Sequence, residues 1–147
     1  MAKGQVSTEL LIIIGVVLLI FVPLLVMVYF KANEANTQIG SYQTELAVFR
    51  LAYLANSVGS LGTNTSITTD VYIPPGVTNI ETRRIANGGE VLFKVATPAG
   101  ESEVVEIVKY PIKNPRNFTA SQGWARFTII SELDKDGKAI LTIESTR

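Results

Sequence analysis

Lys3-Gly4-Gln5-Val6-Ser7-Thr8-Glu9 runs directly into Leu10–Phe30, a block that carries no charged residue. The reading of this stretch decides the fold. Roughly 21 residues make about 31 Å of α-helix, close to the thickness of a bilayer's hydrocarbon core. A single helix crosses such a layer with its backbone hydrogen bonds satisfied internally. The block is longer than an ordinary secretory hydrophobic region, and Val28-Tyr29-Phe30-Lys31 behind it is bulky and then charged, unlike a small-residue cleavage site. The segment is therefore expected to stay with the protein. Inside it, Gly15 and Pro23 interrupt good helix formers. Pro23 removes one backbone donor, which predicts a kink or loosening near Ile20–Phe21; an ordinary transmembrane proline and a hinge both fit.

Beyond Lys31 the apolar run ends, but helical periodicity continues. Ile39, Tyr42, Leu46, Phe49 and Tyr53 recur at three- and four-residue steps, and Ala47, Leu51, Leu54 and Val58 form a second seam beside them. Lys31–Gln38 is polar all round. Gly59-Ser60-Leu61-Gly62 supplies stop signals. The pattern predicts one helix from about Ser7 to Val58, with two helices broken near Gly40 as the alternative.

After Gly62 the composition shifts to Thr, Val, Ile and turn residues. Ile67, Thr69, Val71 and Ile73 alternate with polar neighbours up to Pro74-Pro75-Gly76. Val77–Arg84, Val91–Val95, Glu103–Tyr110, Trp124–Ser131 and Lys138–Glu144 read as further strands. Asn87-Gly88-Gly89 and Asp134-Lys135-Asp136-Gly137 read as hairpin turns, Pro98-Ala99-Gly100 as a turn, and Lys113–Gln122 as a loop. About six short strands predict an α+β chain: a long N-terminal helix followed by a small antiparallel β-sandwich-like head. The expected divisions are 5–30 for a transmembrane or filament-core helix, 31–58 for its amphipathic continuation and 59–147 for the β-rich head.

Composition narrows the chemistry. Thirteen basic residues balance 13 acidic ones, and no basic stripe supports a nucleic-acid partner. The 147 residues include neither cysteine nor histidine, which removes thiol and imidazole nucleophiles, Ser-His-Asp catalysis and Cys/His zinc sites. Without disulfides the head must rest on its own apolar core. Asp134-Lys135-Asp136-Gly137 starts like a calcium loop but lacks the later acidic ligand, so a hairpin turn is expected and no metal. Glu101 and Glu103 fall on one strand face and Glu106 on the other, as on a solvated sheet rather than in a paired-carboxylate active site. No catalytic residue and no cofactor are expected. Trp124, the single tryptophan, is expected in the core with Phe127 and Ile129, although alternation puts it on the opposite face, where an adhesive surface would lie. Asn64-Thr65-Ser66 and Asn117-Phe118-Thr119 match the N-glycosylation acceptor pattern, and both asparagines are expected in loops.

Lys3-Gly4-Gln5, then Ser7 and Glu9, then an unbroken apolar helix resemble the processing site of archaeal type IV pilin-like precursors with class III signal peptides, of the adhesion-pilin kind. The resemblance is tight over Lys3–Phe30 and generic beyond it; the single Lys3 is a less basic leader than the pattern usually carries. It implies that 1–4 form a leader, which a prepilin peptidase removes by cutting between Gly4 and Gln5. It further implies that Glu9 pairs with the free amine of Gln5 on a neighbouring copy. The implied partners are membrane lipid before assembly, the pilus assembly machinery, other copies of the chain in a helical filament, and surfaces or other cells. The implied location is the membrane for the precursor and the cell surface for the assembled, often glycosylated, fibre. An archaellin fits Gln5–Glu9 less well. Read without the resemblance, Ser7 or Thr8 caps the helix and Glu9 complements its positive end. That leaves a monomeric, membrane-anchored extracytoplasmic binding module as the alternative.

Overall fold

The computed structural model describes residues 2–97 and 100–146, with the side chains of 8–97 and 100–145. One helix, α1 (Ala2–Leu61), precedes seven strands: β1 (Thr65–Ile73), β2 (Val77–Ile85), β3 (Gly88–Thr97), β4 (Gly100–Val108), β5 (Asn117–Thr119), β6 (Gly123–Leu133) and β7 (Ala139–Thr146). The expected α+β class holds: the helix is followed by two small antiparallel sheets, ordered β1-β6-β7 and β4-β3-β2-β5. The chain divides into two compact units, one up to Ile39 and one from Gly40 on.

α1 passes through Pro23 and Gly40 without a break. Proline costs the helix one internal bond but leaves the flanking turns intact, so the expected loosening does not become an interruption. No break occurs at Gly40 either; its carbonyl accepts a bond from Thr44 Oγ1 at 2.9 Å. The helix also outruns its expected end at Val58 by a turn. Gly59 is not a stop signal; a Cβ there would run into the ring of Tyr110, so the glycine makes room for packing. The stop comes at Gly62, whose φ of 103° is the left-handed conformation that ends helices.

In the unit from Gly40 on, the last four turns of α1 and both sheets share a single core. Val48, Leu51, Ala55 and Val58 meet Ile73, Phe127 and Ile143 of one sheet and Ile80, Val91 and Phe93 of the other. Phe118 of β5 and Phe127 of β6 join the two sheets edge to face, with centroids 6.1 Å apart. Each fully buried aliphatic or aromatic side chain contributes roughly 2 kcal/mol, the main favourable contribution in a head without disulfides. Asn56 ties the helix to the open edge of β4: its Oδ1 accepts from Lys109 N at 2.8 Å and its Nδ2 donates to Ile107 O at 3.5 Å.

Three expectations about the head change. Gly88 and Gly89 belong to β3, and the turn is Ala86-Asn87. A Cβ on Gly88 would lie 2.5 Å from Val108 O, so glycine is demanded by the close approach of β4, not by a turn. The loop expected at Lys113–Gln122 contains β5, which pairs with β2 through Asn79↔Thr119, Ile80↔Phe118 and Glu81↔Asn117. Thr82 anchors it: Arg116 N donates to Thr82 Oγ1 at 2.9 Å, and Thr82 N to Arg116 O at 2.8 Å. Trp124 is not in the core; it is 72% exposed. Asp134–Gly137 does form the expected turn, closed by Gly137 N to Asp134 O at 2.9 Å.

Candidate functional site

The exposed apolar surface of α1 is the feature that sets this chain apart. Every large side chain from Leu10 to Phe30 is exposed. The helix is long and apolar enough to cross a membrane, and its most apolar window has a mean hydropathy of 3.4 and none of it buried. Lys31 then introduces charge and pairs with Glu34 at 2.8 Å one turn on.

Past that polar stretch the helix divides by face. Thr44, Ala47, Val48, Leu51 and Val58 turn into the core. Tyr42, Leu46, Phe49 and Tyr53 point the other way and are between 55% and 67% exposed. The second seam read from the sequence is thus the core face, and the first is an outward ridge. Phe49 and Tyr53 stack on it with centroids 6.1 Å apart.

A groove runs along each flank of the ridge. At about 100° per residue, Arg50 lies about 40° to one side of Leu46 and Glu45 about 100° to the other. On the first side Leu46, Arg50, Tyr72 and Trp124 line a groove of about 200 Å³. Trp124 stands edge-on to Tyr72 at 5.6 Å because the two are cross-strand partners of β1 and β6. The same outer face carries Arg126, which binds Asp70 through Nε at 2.8 Å and Nη2 at 3.3 Å. That hydrogen bonding holds the Asp70 carboxyl below its ordinary value. On the second side Tyr42, Glu45, Leu46, Phe49 and Glu106 line the other groove.

The residues singled out in the sequence are spread along the chain. Gly4 and Gln5 lie in the first turns of α1, outside the described side chains. Glu9 is exposed, and Pro23 lies within the apolar stretch. Asn64 is exposed in the turn before β1 with a φ of 62°, as expected of a loop residue. Asn117 is a correction: it lies in edge strand β5, still exposed, because pairing with β2 rather than its own sequence makes the strand. Glu101 and Glu103 share the solvated face of β4, while Glu106 is half-buried toward the helix, as alternation required. Among the described residues no group of three or more acidic side chains is gathered to hold a metal. The sequence missed the ridge's two dissimilar flanks. The signal was there, in Glu45 and Arg50 on either side of one stripe.

Comparison with protein-family models, curated proteins and solved structures yields no match for this chain.

Proposed function

We propose that this chain is a pilin, a structural subunit of an archaeal type IV pilus-like surface filament. It is made as a membrane precursor, cut between Gly4 and Gln5 and built into a bundle of parallel helices. The observation that carries this reading is the ridge from Tyr42 to Tyr53. A solitary membrane anchor accounts for Leu10–Phe30, whose apolar surface suits lipid. It does not account for four large apolar side chains on the same helix beyond the charged Lys31–Glu34 stretch, which an isolated head would leave in water. Contiguous exposed apolar surface of this kind marks a protein interface. Copies standing side by side cover both stretches at once, each Å² kept from water contributing roughly 25 cal/mol. The exposed head then coats the fibre and meets surfaces or other cells.

Glu9 provides the test. In a bundle its carboxylate enters a low-dielectric setting, where an unpaired charge costs several kcal/mol unless a neighbour's Gln5 amine offsets it. Glu9→Gln is therefore expected to be cut at Gly4 and inserted normally, yet to give few filaments by electron microscopy, with Glu9→Asp intermediate. Mass spectrometry should find the wild-type chain beginning at Gln5. Wild-type cells that carry the peptidase but show only uncut chain and no fibres would overturn the reading in favour of the tethered module.

A further inference from the structure

Resting on the filament reading, we propose which surfaces of neighbouring copies meet: the basic, tryptophan-lined flank of one ridge seats in the acidic flank of the next. The contact is head-to-tail and repeats without closing. Arg50 of one copy then faces Glu106 and Glu45 of its neighbour, and Trp124 packs beside the neighbour's Tyr42 and Phe49.

Glu106 motivates this most directly. It is half-buried against the helix, in a groove whose other walls include Tyr42, Leu46 and Phe49. No cation pairs with it among the described residues, whereas Asp70, Glu81, Glu103, Glu132 and Glu144 each have one. A carboxylate half withdrawn from water beside aromatic rings calls for a cation from outside the molecule. Arg50 has the complementary deficit. Among the described residues its guanidinium hydrogen-bonds only the hydroxyl of Thr69, at 3.5 Å, at the edge of an apolar groove, and the nearby Asp70 carboxylate that it helps to stabilise is already bound by Arg126. Because Leu46 lines both grooves, the two half-sites belong to one continuous surface. A second copy of the chain supplies both missing partners at once. Identical copies inserted in one direction cannot meet antiparallel. Joining unlike flanks then leaves a free acidic flank at one end of a pair and a free basic flank at the other, so the contact propagates.

Two measurements on the full chain test this, both starting from a wild type that forms fibres. Arg50→Glu and Glu106→Arg should each lower filament yield by about tenfold or more, since each sets like charges together at every junction. The double variant restores the pair at every junction and should recover most of the yield. Because the chain contains no cysteine, thiol cross-linking has no background. A chain carrying both Arg50→Cys and Glu106→Cys, treated with a short bis-maleimide in filaments, should give a ladder of dimers, trimers and longer species. Either single variant should stay monomeric. Dimers without a ladder would replace the open contact with a closed pair. Cross-linking of a single variant to itself, or failure of the charge swap alongside normal wild-type fibres, would overturn the assignment while leaving the filament reading intact. A wild type that forms no fibres at all would overturn both.

Discussion

The two halves of α1 solve different problems with one helix. From Leu10 to Phe30 the helix has no inside, since apolar residues surround it and all its large side chains are exposed. Such a surface asks only for an apolar neighbour, and lipid tails or other helices serve alike. From Thr44 to Val58 the helix has two sides. One side is buried in the head's core, and the other presents aromatic and aliphatic groups between an acidic and a basic flank. The first half sets a solvent class, and the second, in the proposed filament, would set a partner. On that proposal specificity resides outside the membrane-length stretch, in the part of the helix that carries the head.

Leu51 and Leu46, little more than one turn apart, break or sharpen that contrast. Leu51 is fully buried, so Leu51→Ala should remove about 2–5 kcal/mol from head stability through lost burial and the cavity left behind. Hydrogen exchange of the β3 and β6 amides in detergent-solubilised full chain reads this directly, and membrane insertion should not change.

Acid should act less strongly, through the surface ion pairs. Asp70 and Glu81 both titrate below their ordinary values of 3.8 and 4.5, Asp70 through hydrogen bonding to Arg126 and Glu81 through hydrogen bonds from Lys94 and then Arg83. A lowered carboxylate stabilises the fold above its unfolded value and loses that contribution as pH falls through its folded value. The share these two carboxylates give to head stability should therefore be lost progressively as pH falls through 4.5 and on past 3.8. Lys94 and Arg83 are raised by the same contacts with Glu81, so their share is present at neutral pH and goes only in strong alkali, above 10.5 for Lys94. Acid titration of the same amide exchange checks the sign; a head that gains stability below pH 4 would contradict it.

Leu46→Ser should have the smallest effect on the head, under about 0.5 kcal/mol, because the side chain is already in solvent. Its effect on fibres should nonetheless be severe. A Leu46→Ser chain that assembles at wild-type yield would return the ridge to ordinary exposed surface.

Much of this was legible in the residues. The long apolar block, the continued three–four periodicity, the alternating strands and the Asp134–Gly137 turn all carry local signals that tertiary structure keeps. What escaped depends on contacts between distant segments. Asn117-Phe118-Thr119 has no strand pattern of its own; β2 makes it a strand through Thr82 and Arg116. Gly88 and Gly59 look like punctuation but exist for the close approach of Val108 and Tyr110. Two parallel seams on a helix cannot say which one meets the core, and only the packed head decides that. Trp124 was legible through alternation, yet its size argued for burial, and the pleat outweighed size.

Asn56 has a consequence for how heads would meet in the proposed filament. A nine-residue strand such as β4 at a sheet margin is a template on which a neighbour's extended segment can crystallise, chain after chain, into cross-β fibre. By spending both ends of its amide on Ile107 and Lys109, Asn56 occupies the template with a side chain from the same molecule. Glu101 and Glu103 farther along β4 add charge to the remainder of that margin. In the proposed filament, crowded heads would thus be kept from zipping together through their backbones, and order among them would be left to side chains.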